Sequence, residues 1–367
     1  MRTINIGTVF SGIGAPEQAL KKLKVKSKIV FACDNGEIEL PNTAEEIKKQ
    51  IVGMSNDQVN RYIKNLYAST GKINYMKESY FANYDIDEEN WYEDIRFMSG
   101  KKYAGKVDIL VGGSPCQSFS IIGKRAGLED TRGTLFYDFA RLISEIKPKV
   151  FIYENVPGML AHDKGKTWKV ISEVFDSLGY KIYKELLNAK DYGIPQDRRR
   201  LFVVGFRDKS VDFHFPKAIP LTTLFFDYLE DDRTVDPKHY LGQKGFEFVT
   251  APKYRNRARV NPDIIQTQKA NQQFNWNGDF VFVPIEKVRD IPSIMSRAYV
   301  STWEGKEGVI RQLTYKECLR LMGFTDDFKV VVPNVPAYRQ AGNSIVVNVL
   351  ECIFKEIFKV VNFNENN

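Results

Sequence analysis

Residues 3–20 read TINIGTVFSGIGAPEQAL, and their order decides the fold. A β-rich apolar run, 4–10, enters the turn Ser11-Gly12-Ile13-Gly14 and leaves it as a helical pattern. The next apolar run, 29–33, ends at Asp34, 20 residues beyond Gly14. Nucleotide-type cofactors need this arrangement, because glycines let the backbone approach the ligand and the acid accepts hydrogen bonds from ribose hydroxyls. Glu17 stands where the dinucleotide fingerprint has its third glycine. A pyrophosphate is then poorly provided for, which favours a cofactor without phosphates over NAD. A glycine turn of purely structural use has the same look, so other residues must decide.

Outward from this stretch, apolar runs at 107–111, 150–153, 180–187 and 201–206 alternate with helical patterns at 135–146 and 167–178. Strands alternating with helices predict an α/β fold with a mostly parallel, Rossmann-like sheet covered on both faces. Residues 41–90 interrupt the alternation. Two capping-box patterns, Thr43 to Glu46 and Ser55 to Gln58, predict a peripheral helical pair there, packed by Ile47, Ile51, Tyr62, Ile63, Leu66 and Tyr67. From about 209 to 310, Pro216, Pro220, Pro237, Pro252, Pro262, Pro284 and Pro292 break any long helix and mark a second, smaller domain. Beyond it, 314–322 reads as a helix stopped at Gly323, and 344–361 as a final apolar-striped helix. The expected division is a catalytic domain of 1–208 plus 335–367, a second domain of 209–310 and a hinge of 311–334.

The chain of 367 residues suffices for two such domains without disulfides, and its net charge of +7 permits an anionic partner. Cys33, Cys116, Cys318 and Cys352 have no C-x-x-C spacing and the three histidines are isolated, so no metal site is expected. No signal core and no run of about 18 apolar residues is present, which points to a cytoplasmic protein.

Two strand ends carry the candidate chemistry. Cys116 lies in Gly112-Gly113-Ser114-Pro115-Cys116-Gln117-Ser118-Phe119-Ser120, directly after the run 107–111. Open α/β sheets bind ligands at the carboxyl ends of their strands, and a loop of glycine, proline and serine suits a reactive thiolate better than a core cysteine. Glu154 follows the next run and brings a carboxylate to the same edge. Thiol addition to a pyrimidine requires such an acid at the ring nitrogens. The arginines of Gln196-Asp197-Arg198-Arg199-Arg200 could hold phosphates or a base oxygen, with Arg198 and Arg200 on one face of an extended segment.

Taken together, FSGIGAP (10–16), GGSPCQSFS (112–120), GKRAGLEDTRGTLFYDFARL (123–142), ENVPGM (154–159), AKDYGIPQDRRRLFVVGF (189–206), RQLTYKECLRLMGF (311–324) and QAGNSIVVNVL (340–350) resemble the cytosine-5 DNA methyltransferase family, in its order and over nearly the whole chain. The resemblance implies transfer of a methyl group from S-adenosylmethionine to carbon 5 of a flipped-out cytosine in a specific double-stranded DNA sequence. Cys116 would add to carbon 6, Glu154 would bond the ring nitrogen and amino edge, and Arg200 the base oxygen with Arg198 in support. Phe10, Gly12, Gly14, Asp34, Asp94, Ile95, Pro115, Leu135, Asn343 and Ser344 would hold the cofactor. The second domain would recognise the target, the protein would act as a monomer, and a restriction endonuclease acting separately would be its counterpart.

Two alternatives stay open: a tRNA cytosine-5 methyltransferase, against which Gln117 speaks, and a catalytically silent DNA-binding relative. For DNA contact, Gln196 is a candidate. Lys253, Arg255, Arg257 and Arg259 recur at every second position, which in an extended strand would align them as a phosphate-tracking stripe.

Overall fold

The computed structural model describes residues 2–115, 135–272 and 276–364. Cys116, and with it the rest of the segment up to residue 134, lies outside the described residues. The chain divides into two compact units, Met1–Leu187 with Arg199–Lys217 and Leu350–Asn367, and Asn188–Arg198 with Ala218–Val349. This division differs from the expected one at three places: residues 209–217 belong to the first unit, and residues 188–198 and most of the segment from 311 onward belong to the second. The reason is internal to that unit. Arg198 is buried there and donates to the carbonyls of Gln268, Gly342 and Ser344 at 2.9–3.0 Å, tying three distant segments together.

In the first unit, β1 (Ile4–Val9), α1 (Ala15–Lys22) and β2 (Ser27–Cys33) form the predicted opening. The insertion follows as α2 (Ala44–Gln50), α3 (Asn56–Ser69) and α4 (Tyr75–Asn83). Then come β3 (Trp91–Tyr92), β4 (Ile109–Gly112), α5 (Leu135–Ile146), β5 (Val150–Asn155), α6 (Lys166–Ser177), β6 (Lys181–Asn188) and β8 (Arg199–Phe206). The short β7 (Gln196–Asp197) belongs to the second unit.

Seven strands form one sheet in the order β3-β2-β1-β4-β5-β8-β6. The β1–β2, β2–β3, β1–β4 and β4–β5 pairs are parallel and β5–β8 is antiparallel. A fully buried central strand must be apolar on both faces, and Val150 to Tyr153 is buried throughout. α5 covers one face with Phe136, Phe139, Leu142, Ile143 and Ile146, and Phe139 meets Tyr153 at 5.3 Å between ring centroids. Each such side chain contributes about 1.5–3 kcal/mol by leaving water.

Both capping boxes form as predicted, with Thr43 and Ser55 accepting from the third helical amide and receiving the Glu46 and Gln58 side chains in return. Ile47, Ile63 and Tyr67 are buried together, with Ile51, Tyr62 and Leu66 packed against them. The expectation of a peripheral pair needs correction on two counts. A third helix, α4, completes the insertion, and its Tyr80 is buried with Ala32 of β2 and Trp91 of β3. The insertion is thus built onto the edge of the sheet.

The second unit holds a four-stranded sheet, β12-β13-β11-β9, from β9 (Ala258–Val260), β11 (Gly278–Pro284), β12 (Ser301–Trp303) and β13 (Lys306–Gln312), while β10 (Ile265–Gln266) pairs with β7. Helix α7 (Gln243–Thr250) packs on it. Beyond the sheet, α8 (Tyr315–Arg320) opens with a capping box, Thr314 with Glu317, and stops at Gly323, whose φ is +85°. α9 (Asn334–Asn343) follows, and α10 (Val347–Val360) runs into the part of the chain that closes the first unit.

Candidate active site

The carboxyl ends of the parallel strands gather two sets of side chains. At β1 the backbone turns through positive φ at Phe10 (+53°), Gly12 (+53°) and Gly14 (+77°). A positive φ at a non-glycine residue is uncommon and is held only where surrounding contacts determine it. Here they do. Ser11 N–H donates to the Cys33 carbonyl at 3.1 Å, and Ser11 Oγ accepts from Cys33 N–H at 3.0 Å. The space a Cβ would take at Gly12 is open, leaving that stretch of backbone free for a ligand's approach.

Asp34, at the end of β2, accepts from Gly12 N–H and Gly36 N–H at 2.8 Å each. Burial pushes its carboxyl up to about 6; those two amides hold it down, and Glu37 and Glu93 add to the rise. Asp94 is buried beyond β3 and carries Arg96 on both oxygens, Nε at 3.0 Å and Nη2 at 2.6 Å, together with the Tyr67 hydroxyl at 2.9 Å. Ile95 is buried beside it, and its carbonyl accepts from Arg141. Pro115 is the exposed last residue before the undescribed segment and Leu135 the half-buried first one after it. Asn343 and Ser344 lie in the second unit, at the end of α9.

The other set stands on β4, β5 and β8. Glu154 and Arg200 come from antiparallel neighbours, and Arg200 Nε lies 3.2 Å from Glu154 Oε1 with both side chains mostly buried. Asn155 Nδ2 donates to the Ser114 carbonyl at 2.8 Å, and the Ser114 and Tyr153 hydroxyls bond at 2.7 Å. A Cβ on Gly113 would meet the Glu154 carbonyl at 2.6 Å, so only glycine brings this chain so close to β5. The approach to Cys116 is therefore locked against Glu154.

Three expectations change. Arg198 is buried in the second unit and donates to the three carbonyls named above, as a strut, whereas Arg200 in the first unit meets Glu154. Gln196 is fully buried, with Nε2 on the Leu321 carbonyl at 2.8 Å and Oε1 accepting from Gln268 N–H at 3.0 Å, so it clamps the second unit from within. The basic stripe does not form, because Pro252–Tyr254 is a helical turn that stacks Tyr254 on Phe248 at 4.0 Å. Lys253 lies over the Tyr254 ring, Arg255 and Arg257 are exposed on the turn, and only Arg259 enters a strand, where it pairs with buried Asp279 at 2.9 Å.

Sequence reasoning gave Tyr67 a packing role alone and missed Asn74, Tyr80 and Tyr84; the four side chains bond Asp94, the Asp34 carbonyl, Glu17 and the Gly14 carbonyl respectively. The available signal was the aromatic content of YMKESYFANY at 75–84, where Tyr75, Tyr80, Phe81 and Tyr84 crowd a short helix without forming one clean apolar stripe.

A mostly parallel α/β sheet with an open glycine turn and a buried acid at one set of strand ends, and a carboxylate–arginine pair at another, is the frame of a nucleoside-cofactor-dependent group-transfer enzyme. A family model described as C-5 cytosine-specific DNA methylase matches residues 50–359. The type II methyltransferase M.HhaI of Haemophilus parahaemolyticus is 34% identical over 346 residues, 87% of this chain and 98% of that protein. M.NgoBI of Neisseria gonorrhoeae is 35% identical over 281 residues, 77% and 82% respectively. A DNMT2 variant from Spodoptera frugiperda is similar in fold, with a TM-score of 0.66 at 19% identity over 97% of this chain and 100% of that one. The chain belongs to the C-5 cytosine-specific DNA methylase family. It is a DNA (cytosine-5-)-methyltransferase that uses S-adenosylmethionine, and the family selects the DNA reading over the RNA one. Among the described residues no helix is long and apolar enough to cross a membrane.

Proposed function

We propose that Cys116 is the covalent nucleophile of this reaction and acts on a cytosine swung out of a duplex. The observation that carries this reading is the Glu154–Arg200 pair, locked through Gly113 and Asn155 to the strand end that leads into Cys116. S-adenosylmethionine supplies an electrophilic sulfonium methyl. Cys116 adds its thiolate to carbon 6, which makes carbon 5 nucleophilic. Glu154 holds a proton at the ring nitrogen to take up the displaced charge, and Arg200 orients Glu154 and bonds the base oxygen. Loss of the carbon 5 proton and expulsion of Cys116 restore the thiolate. The cost of unstacking the base, a few kcal/mol, falls to contacts in this pocket and to the vacated duplex.

The cofactor residues fit the donor. Gly12 offers open backbone, Asp34 an anion for ribose hydroxyls at neutral pH, and Phe10, Gly14, Asp94, Ile95, Pro115, Leu135, Asn343 and Ser344 complete the set. No phosphate cradle is needed. The second unit supplies target recognition, with exposed Arg255 and Arg257 as phosphate contacts. The names of the relatives, type II methyltransferases, support a place in a restriction-modification system with a separately acting endonuclease. A monomer acting in the cytoplasm, where its DNA is, completes the reading.

Cys116→Ser is expected to abolish methylation while leaving donor and DNA binding nearly intact, since an alcohol is far less ionised than a thiol near neutral pH. DNA carrying 5-fluorocytosine is expected to trap the wild-type protein covalently. Methylation by the serine variant, or no adduct under turnover conditions, would overturn the assignment.

A further inference from the structure

We propose that the helical insertion, residues 41–90, is the brace of the methyl-donor site and sets the affinity for S-adenosylmethionine, with Tyr84 and Tyr67 as positioning residues. This rests on the reading that the Phe10–Gly14 turn, Asp34 and Asp94 hold the donor. Four side chains of the insertion reach that set.

Tyr84, which caps α4, donates its hydroxyl to the Gly14 carbonyl at 2.7 Å and to the Ile13 carbonyl at 3.1 Å. Its ring occupies the space that a side chain on Gly14 would need. The glycine turn is thus closed on one side by Tyr84 and open on the other, at Gly12. Tyr80 donates to the Glu17 carboxylate; Glu17 also accepts from Thr8 Oγ1, and Thr8 bonds Ser11 Oγ at 2.8 Å, so the contact reaches the turn from beneath.

Asn74 Nδ2 donates to the Asp34 carbonyl at 2.9 Å and to Glu93 Oε2 at 2.8 Å, joining the two acidic strand ends. Tyr67 donates to Asp94 Oδ2 at 2.9 Å, opposite the Arg96 clamp. A turn in left-handed conformations and two partly desolvated carboxylates keep one geometry only if surrounding groups impose it. In this chain that work falls to helices α3 and α4. The insertion has its own apolar cluster of Ile47, Ile63 and Tyr67 to anchor it.

The test is calorimetric titration of the full-length protein with S-adenosylmethionine, together with steady-state kinetics. Tyr84→Phe keeps the ring and removes the hydroxyl shared between the Ile13 and Gly14 carbonyls, and Tyr67→Phe removes the hydroxyl that donates to Asp94. Each is expected to raise the donor Kd by about 3- to 10-fold, the range that one or two lost hydrogen bonds imply. The loss should fall on KM for the donor rather than on kcat, with KM for DNA unmoved. Asp34→Ala serves as the reference. If Asp34→Ala weakens donor binding and both tyrosine variants bind as wild type, the brace is overturned, whatever happens to Tm. If none of the three changes donor affinity, the site assignment falls and the brace with it. A defect confined to kcat would also overturn it.

Discussion

The two halves of the sheet edge are held in different ways. At β4, β5 and β8 the groups proposed to act on the base are fixed by their own strands: Glu154 by its antiparallel neighbour Arg200, and Asn155 beside it by Ser114 after β4. At β1, β2 and β3 the groups are fixed from outside, by tyrosines and an asparagine 27 to 71 residues away along the chain. Main-chain pairing between neighbouring strands inside the sheet can position a charge pair without help. A glycine turn cannot be so positioned, because the freedom that lets it admit a ligand also lets it wander. The difference predicts that the reacting half tolerates changes in the insertion and the donor half does not.

The largest effect should come from the reacting half. Glu154→Gln is expected to lower single-turnover methylation by about 10²- to 10⁴-fold, the usual weight of a positioned proton donor, with donor affinity little changed. Loss of donor binding with the chemical step intact would show that the two halves are not separable as drawn. Next is the donor half. Asp34→Asn should weaken donor binding by about 1–3 kcal/mol, a lost set of charged hydrogen bonds. The wild-type carboxyl, raised to about 6, is anionic above that pH and neutral below it. Donor affinity should therefore fall as pH is lowered through 6 in the wild type and stay flat in the variant. Parallel profiles would remove Asp34 from the ribose.

The smallest effect tests the support beneath the turn. Glu17 is buried, its Oε2 has no hydrogen-bond partner among the described residues, and burial raises its carboxyl above 4.5 despite bonds from Tyr80 and Thr8. A folded-state value above the unfolded one means that stability from this group is complete under acid conditions and is lost as pH rises through the folded value. Glu17→Gln should thus raise Tm at pH 8, on the order of 2–4 °C for each kcal/mol relieved in a domain of this size, and change it little at pH 4. An equal shift at both pH values would mean that the charge is not the cause.

Much of this was legible in the sequence because the parallel sheet needs unbroken apolar runs. β1, β2, β4, β5, β6 and β8 lie within two residues of the runs that announced them, and α5 coincides with its stripe. Capping boxes were legible too, being local by nature. What was not legible depends on long-range burial. Nothing in QDRRR tells the buried Arg198 from the Arg200 that meets Glu154, since the distinction lies in carbonyls 70 to 146 residues away. The alternation of bases at 253–259 imitated a strand, but Pro252 starts a turn and Tyr254 packs on Phe248. Local pattern lost to an aromatic contact.

The Arg198 strut also bears on how the chain folds. It joins the 188–198 segment to carbonyls at 342 and 344, and the first unit takes its last helix residues only from Leu350 onward, where Glu351 pairs with Lys22 at 3.4 Å. Neither unit can finish before residues 342–350 have left the ribosome. Contacts of such sequence separation close late, after loop entropy has been overcome. Synthesis at about 5–20 residues per second leaves the sheet of the first unit without its closing helix for many seconds. During that interval the side chains of Leu350, Ile353, Phe354 and Ile357, all buried in the finished fold, are not yet in place.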